Sequence, residues 1–235
     1  MTSATIEFAV QMTCYSCEES VKNSLQNVPG IEHFQIDLET QRVVIKSQLP
    51  SLEIMKLLES TGKKVTIKGY AGGQAAVSIL EAGSASIKGV IRFIQATPNT
   101  CIIDGTVDGL KSDGGLHCLS IHECGDISSG CANVGDILTS NDTLPGKTYG
   151  DLGNIFSDEN DRAQFRLENN IVKVSEIIGR SLVISRASDN NGAGAWNNIV
   201  CGVIARSAGL FQNPKTICAC DGTTIWDEAS KKSQL

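Results

Sequence analysis

The chain has 235 residues, a formal net charge of −6 at neutral pH and a hydrophobic share of 41%. That apolar share can build a core, which excludes a disordered protein, and the length suits two domains or one with appendages. The acidic balance argues against nucleic-acid partners. A spanning apolar run and a secretory signal are both missing, so a cytoplasmic protein is expected, with the mitochondrial intermembrane space left open.

Nine cysteines are many for such a chain, and their number is odd. In a cytosolic protein, cysteine spacings indicate metal or redox chemistry first and structural bridges second.

The first predicted elements are a strand and a helix joined by a loop that carries two thiols. Apolar residues alternate over 6–10, as in a strand with one buried face, and recur at helical spacing over 21–28. Between them lie Met12, Cys14 and Cys17. Soft sulfur ligands favour Cu(I), with Zn(II) a weaker contender. Cys17 is expected at or just inside the first helical turn, where the helix dipole favours a thiolate.

The Cys-x-x-Cys pattern has three other interpretations: a redox dithiol, half of a zinc knuckle, or buried cysteines without a task. A knuckle needs a second pair of ligands at short spacing, but the next cysteine is Cys101 and the next histidine is His33. The knuckle is therefore unsupported. Metal transfer is favoured over redox chemistry because Met12 and the weak set of nearby ligands suit a soft, exchangeable ion.

The remaining elements of this region complete a small domain over residues 1–70. Two alternating runs at 34–38 and 42–45 predict strands, 52–59 follows a helical period, and a last strand closes the domain at 65–67. Residues 5–69 resemble the heavy-metal-associated domain. The resemblance implies a ferredoxin-like βαββαβ fold with Cu(I) held between Cys14 and Cys17, and a lysine near the thiolates, for which Lys63 and Lys64 are candidates.

A shift to small, flexible residues predicts a linker at 71–84. The chain from 85 to 207 then alternates short β-rich runs with glycine-bearing turns, which is typical of an all-β sandwich or barrel.

This second region resembles Cu/Zn superoxide dismutase. The resemblance is carried by the segments 116–126, 150–154, 177–184 and 201–204. It implies a Greek-key β-barrel.

The metal ligands of that enzyme are mostly replaced. Of the four copper imidazoles only His122 remains, because Ser120, Ile137 and Ser185 stand at the other positions. With three histidines in the whole chain, no four-imidazole site can form, so dismutation is excluded. Of the zinc ligands only Asp151 persists, so bound zinc is not expected.

The resemblance further implies a disulfide between Cys131 and Cys201 and a surface that pairs with a dismutase subunit. The corner at 124–126 and the strand at 201–204 correspond to the subunit contact of the enzyme. An inactive copy of the fold could form a heterodimer with a dismutase, and a homodimer is the competing assembly.

The tail, 208–235, carries Cys218 and Cys220, which are predicted to take part in thiol–disulfide exchange and copper transfer. In an extended segment their side chains share a face, with Cα atoms roughly 6–7 Å apart. They could form a strained, exchangeable bridge or clasp Cu(I). Which pair holds copper at rest stays open.

The combination of a metal-binding domain, a ligand-stripped dismutase domain and a Cys-x-Cys tail resembles the copper chaperones for superoxide dismutase. That resemblance implies delivery of Cu(I) to the enzyme and formation of its intrasubunit disulfide, with a membrane copper transporter as one candidate source. The rival hypotheses are a copper-sequestering protein whose barrel only dimerises, and an active dismutase.

Overall fold

The computed structural model describes residues 2–72, 74–111, 116–139, 149–187 and 196–213, together with Trp226. The chain divides into two compact units. The first unit combines Met1–Gly73 with Ala208–Leu235, and the second is Gln74–Ser207.

The first unit has the predicted βαββαβ order. Its elements are β1 (Ala4–Val10), α1 (Tyr15–Leu25), β2 (Ile31–Asp37), β3 (Arg42–Ser47), α2 (Ser51–Glu59) and β4 (Val65–Tyr70). The four strands form one antiparallel sheet in the order β2-β3-β1-β4. Since β1 lies between β3 and β4, the loop that follows it begins at the centre of the sheet.

Alternation along the central strands gives this sheet two different faces. The side chains of one face are fully buried, as are the inward residues of the two helices, and this core comprises Ile6, Phe8, Val10, Val43, Ile45, Val21, Leu25, Ile54 and Leu58. On the opposite face β1 presents Glu7 and Ala9.

The second unit is an eight-stranded, nearly closed antiparallel barrel. Its strands are β5 (Ala75–Leu80), β6 (Lys88–Thr97), β7 (Thr100–Asp108), β8 (His117–His122), β9 (Asp151–Ile155), β10 (Arg162–Asn169), β11 (Ser181–Ala187) and β12 (Trp196–Arg206), with a short helix α3 (Val174–Ile177) before β11. The strand order is β10-β7-β6-β5-β12-β11-β8-β9. Apolar side chains from these strands fill its interior.

The predicted linker at 71–84 is wrong in part, because β5 lies inside that range. Residues 75–80 pair with β6 and β12 and bury Ala75, Ala76 and Leu80. The strand was not predicted because its small residues, Ala75 and Ala76, are as typical of flexible linkers as of tightly packed strands. The tail predicted at 208–235 also differs, because its first residues belong to the first unit.

Within the described residues, no helix is both long enough and apolar enough to cross a membrane.

Candidate metal centre

The two thiols of the first unit meet at the start of α1. Cys14 caps the helix: its carbonyl oxygen accepts hydrogen bonds from the N–H groups of Cys17, at 3.0 Å, and Glu18, at 3.3 Å. The Sγ atoms of Cys14 and Cys17 are 3.4 Å apart. Cys14 is exposed and Cys17 is buried, so one sulfur faces solvent and the other lies against the domain.

Met12, which precedes the two thiols, attaches the loop to the core of the domain. Its side chain is almost fully buried, so it acts as an anchor in the core. The carbonyl oxygen of Met12 accepts a hydrogen bond from Nε2 of Gln41 at 2.9 Å. On the other side, the Gln11 N–H donates to the Lys64 carbonyl at 3.0 Å. The segment that leads into the thiols is therefore fixed by contacts to two different parts of the domain, Gln41 and Lys64.

The site favours the thiolate form of Cys17. The backbone N–H of Thr13 contributes most, followed by Cys14, the Thr13 hydroxyl and the Lys63 ammonium, and together they lower the pKa of Cys17 to about 6 against the opposing effect of burial. The Thr13 Oγ1 atom is 3.7 Å from the Cys17 sulfur. Of the two candidate lysines, Lys63 is the one whose hydrogen bond acts on this thiolate. At neutral pH Cys17 is thus mostly ionised and ready to bind a metal.

This arrangement suits a soft ion in low coordination. With sulfur–metal bonds of about 2.3 Å, a straight S–metal–S unit would need the sulfurs about 4.6 Å apart. The exposed Cys14 can rotate outward to reach that separation. Among the residues that the structure describes, no group of three or more His, Cys, Asp or Glu side chains is placed to hold one ion. The pair therefore lacks the four closed ligands of a structural zinc site.

In the barrel, His122 is fully engaged in hydrogen bonds. Its Nδ1 lies 2.8 Å from the carbonyl oxygen of Gly135, so Nδ1 must carry the proton. Its Nε2 lies 3.1 Å from Oγ of Ser120 and accepts the hydroxyl proton. Neither nitrogen has a lone pair to spare for a metal.

The neighbouring positions are equally inert. Ile137 bridges to His122 through the backbone, where the dismutase resemblance would place a histidine. The Ser185 hydroxyl donates to Oδ1 of Asn198 at 2.8 Å. Ser120 is thus hydrogen-bonded to His122, and Ser185 to Asn198.

Asp151, the position at which the dismutase resemblance implies a zinc ligand, is the first residue of β9 and is bound to the local backbone. The Asp151 carboxylate accepts the Gly153 N–H at 2.9 Å, so it caps the local backbone. Cys118 lies 4.0 Å from the same carboxylate, and burial, together with that negative charge, raises the pKa of its thiol. Burial raises the pKa of Cys101 to about 12, so this thiol stays protonated.

The structure brings Cys131 and Cys201 together in a disulfide with Cα atoms 5.8 Å apart. The bridge lies in a small apolar cluster with Val134 and Val183. It joins the loop after β8 to β12.

The dismutase resemblance implies a subunit contact at 124–126 and 201–204. We define an apolar corner as Cys124, Gly125 and Val203 from these segments together with Ile79, whose backbone lies next to Gly202. Ser181 connects its parts, because it pairs with Val203 in the sheet and donates its hydroxyl to the Cys124 carbonyl at 2.7 Å. Cys124 is exposed, and so is Ile79, with 56% of its surface accessible.

Gly125 and Gly202 allow close backbone approaches beneath this corner. A Cβ atom on Gly125 would lie 2.2 Å from the Gly179 carbonyl oxygen, and one on Gly202 would lie 1.9 Å from that of Ile79. The corner thus depends on these two glycines.

The predicted reactive pair, Cys218 and Cys220, lies outside the described residues. Sequence reasoning missed Thr13 and Gln41, which position the thiols. Thr13 directly precedes Cys14 and could have been suspected, whereas Gln41 reaches the loop from a distant turn.

Comparison with known families matches both units. The family described as "Heavy-metal-associated domain" matches residues 7–69, and "Copper/zinc superoxide dismutase (SODC)" matches residues 87–204.

Several relatives resemble the chain over nearly its full length. A "Copper chaperone for superoxide dismutase" of Sus scrofa is 45% identical, covering 97% of this chain and 89% of the relative. The protein of the same name of Homo sapiens is 44% identical, covering 98% and 90%. A "Superoxide dismutase 1 copper chaperone" of Saccharomyces cerevisiae is 33% identical, covering 94% and 92%.

Proposed function

The chain belongs to the family of copper chaperones for superoxide dismutase, and from this premise we propose that it carries Cu(I) on Cys14 and Cys17 and delivers it to a Cu/Zn superoxide dismutase. The observation that carries the proposal is the pair of sulfurs 3.4 Å apart on a fixed loop. That loop occurs in a chain whose dismutase-like barrel has one imidazole, His122, at the positions that correspond to copper ligands, and this imidazole is bound to protein groups.

Release of the ion would begin at Cys14. Because this sulfur is exposed and Cys17 is buried, an incoming thiolate reaches the ion from the Cys14 side. The new sulfur–copper bond forms before the Cys14–copper bond breaks, so the ion passes through three-coordination without a change of oxidation state. The low pKa of Cys17 keeps the second ligand ionised until the last step.

Recognition of the target would use the apolar corner. Its side chains present apolar surface next to strands β5 and β12, at positions that correspond to the subunit contact of the enzyme. A dismutase subunit that has not yet paired with its twin exposes the complementary surface, so a heterodimer follows from isologous pairing. A homodimer would use the same corner and compete with it.

The tail thiols would act on the disulfide of the target. A target thiolate attacks a Cys218–Cys220 bridge and forms a mixed disulfide, which releases one tail cysteine as a thiolate. The second target thiolate then attacks the target sulfur of this mixed disulfide, so that the target bridge forms and the other tail cysteine leaves as a thiolate. The target loses two electrons and the tail bridge is reduced to two thiols, so another disulfide or a similar oxidant must restore it. Alternatively, the reduced tail pair clasps Cu(I) on its way to the target.

The proposal also includes a source of copper and a cellular compartment. A membrane copper transporter would supply the ion, and the protein would work in the cytoplasm and, as an alternative, in the mitochondrial intermembrane space. Zinc is not expected to bind the barrel.

The decisive experiment is activation of metal-free, disulfide-reduced dismutase by the copper-loaded full chain. Wild type should restore activity, and Cys14→Ser should lose most of it when copper is limiting. The double variant Cys218→Ser, Cys220→Ser should bind copper on the first unit normally yet fail to mature the enzyme. Cys118→Ser, which removes a free thiol outside both the metal-binding loop and the apolar corner, serves as a control.

A different result would favour the alternative hypothesis of a copper-sequestering protein. If the chain protects other proteins from copper but gives dismutase no advantage over unrelated metal-free proteins, it is a sequestering protein and the proposal is wrong.

A further inference from the structure

Residues Ala208–Asn213, which we call the docking segment, extend the sheet of the first unit. The N–H of Leu210 donates to the Tyr70 carbonyl at 3.0 Å, and the Tyr70 N–H donates to the Ala208 carbonyl at 3.4 Å. Gly209 and Tyr70 form a parallel bridge. The segment therefore adds to β4, which is an edge strand of the sheet.

Glycines on both sides make this contact close. A Cβ atom on Gly69 would lie 2.3 Å from the carbonyl oxygen of Gly209. Any larger residue at position 69 would push the two backbones apart. The close approach indicates a fitted contact, because a loosely lying segment would not require it.

Beyond the edge, the segment turns onto the open face of the sheet at Glu7. This carboxylate belongs to the face away from the helices, where solvent exposure is the ordinary state, yet only 2% of its surface is accessible. It accepts the backbone N–H of Phe211 at 2.6 Å. A buried carboxylate without a partner is costly, so this charge-assisted hydrogen bond is what makes its burial tolerable.

The Phe211 ring packs against the side chain of Arg42. The guanidinium carbon of Arg42 lies 4.7 Å from the ring centroid, within the range of a cation–π interaction. Asp37 holds this guanidinium from the other side, with an Nη2–Oδ2 distance of 3.1 Å. Asp37 therefore holds the Arg42 guanidinium in its position over the ring.

Phe211 adopts a backbone conformation that aromatic residues avoid. Its φ is +61°, in the left-handed region. Such a residue persists only where its surroundings hold it, and here Glu7 and Arg42 do so.

The docked segment reaches the neighbourhood of the thiol loop. Phe211 and Asn213 line a surface cavity of about 450 Å³ together with Glu7, Gln41 and Arg42. Gln41 also donates to the Met12 carbonyl at 2.9 Å, so it contacts both the cavity and the metal-binding loop.

We propose that the docking segment is an internal anchor, whose receptor is Glu7 and Arg42, and that it fixes the starting point of the Cys-x-Cys tail on the copper-carrying unit. From Asn213, the five residues to Cys218 can span at most about 17 Å. Anchoring so close to the tail thiols raises their effective concentration at the copper-carrying unit. This consequence for transfer rests on the proposed function, whereas the anchoring does not.

Hydrogen exchange of the metal-free full chain tests the anchor directly. We expect the amides of Leu210 and Phe211 to be protected in the wild type, and Glu7→Ala and Phe211→Ala to lower that protection about tenfold or more. Glu7→Gln should retain part of it, because an amide oxygen still accepts the Phe211 N–H. Phe156→Ala, which removes a ring of the barrel that is 73% exposed, is the matched control and should change nothing.

Protection of the Phe8 amide in β1 reports whether a variant is still folded. If Leu210 and Phe211 exchange like an unstructured peptide in the wild type, or if Phe211→Ala leaves their protection unchanged while β1 is intact, the anchor does not exist.

The role in transfer has a separate readout, namely dismutase activation under limiting copper. Phe211→Ala should slow activation without weakening copper binding by Cys14 and Cys17. Unchanged activation in a variant that has lost protection would overturn the role in transfer and leave the anchor standing. Failure of the wild type itself to activate would contradict the proposed function instead.

Discussion

Ser120 donates its hydroxyl proton to Nε2 of His122 across 3.1 Å. His122 is the imidazole that the dismutase resemblance places among the copper ligands. The other nitrogen of His122 donates to the Gly135 carbonyl at 2.8 Å. Both ring nitrogens of His122 are thus engaged by protein groups.

Copper binding by the barrel should return only when the ligand set is rebuilt. We expect a variant with Ser120→His, Ile137→His and Ser185→His to bind Cu(II) and give an electron paramagnetic resonance signal of a nitrogen-ligated ion. Wild type in which Cys14 and Cys17 are alkylated should give none from the barrel. A barrel-bound signal in that alkylated wild type would contradict the assignment of His122 as a structural residue.

The thiolate of Cys17 gives a specific pH dependence. Its pKa in the folded protein is lowered to about 6, so the thiolate should appear as pH rises through 6, well below the ordinary range for cysteine. Because the folded-state pKa is depressed, the stabilisation is fully present above the unfolded-state pKa and is lost as pH falls through 6. Ultraviolet thiolate absorbance and the alkylation rate of metal-free protein, with Cys17→Ser as control, measure the titration.

The ammonium of Lys63 contributes to that shift, whereas no such contribution comes from Lys64. Lys63→Gln should move the Cys17 titration upward and slow its alkylation near neutral pH. Lys64→Gln, at the adjacent position, should leave both unchanged. Equal effects of the two substitutions would mean that only the general charge of the loop matters.

The Cys131–Cys201 bridge closes a long loop, since the two cysteines are 70 residues apart in sequence. In the chain-entropy view its loss should lower the free energy of unfolding of the barrel by about 4 kcal/mol. Denaturant unfolding of Cys131→Ser with Cys201→Ser, compared with Cys124→Ser, measures this. A loss no greater than that of the control would show that the bridge contributes nothing to stability.

The apolar corner should control pairing with dismutase. Ile79→Glu places a charge on a side chain that is 56% exposed, so the barrel should fold while the contact is lost. We expect the heterodimer peak in light scattering to disappear and copper binding by the first unit to remain. Phe156→Glu, which places the same charge on another exposed apolar residue of the barrel, should still pair.

Local patterns predicted most of what surrounds the thiols. Alternation over 6–10 and helical spacing over 21–28 placed β1 and α1, and the loop between them placed Cys17 inside the first turn. These features are encoded by neighbours in sequence, so they can be seen without a structure.

Other features depend on contacts between distant residues. Glu7 and Phe211 are 204 positions apart, and nothing in the alternating pattern of β1 marks Glu7 as buried. The strand β5 was missed for a related reason, because its alanines pack only against partners that the sequence does not identify. The resemblance of the two regions to two families therefore predicted the fold. The contact of the docking segment with the first unit could be seen only in the three-dimensional structure.

The division of the first unit between Met1–Gly73 and Ala208–Leu235 makes the barrel an insertion within the module that handles the metal. In principle, recognition and cargo handling are then exchangeable parts. A chimera that carries a different binding domain between Tyr70 and Ala208 should still bind the ion but deliver it to a different target protein. A change of target would then require no change in the metal-binding thiols.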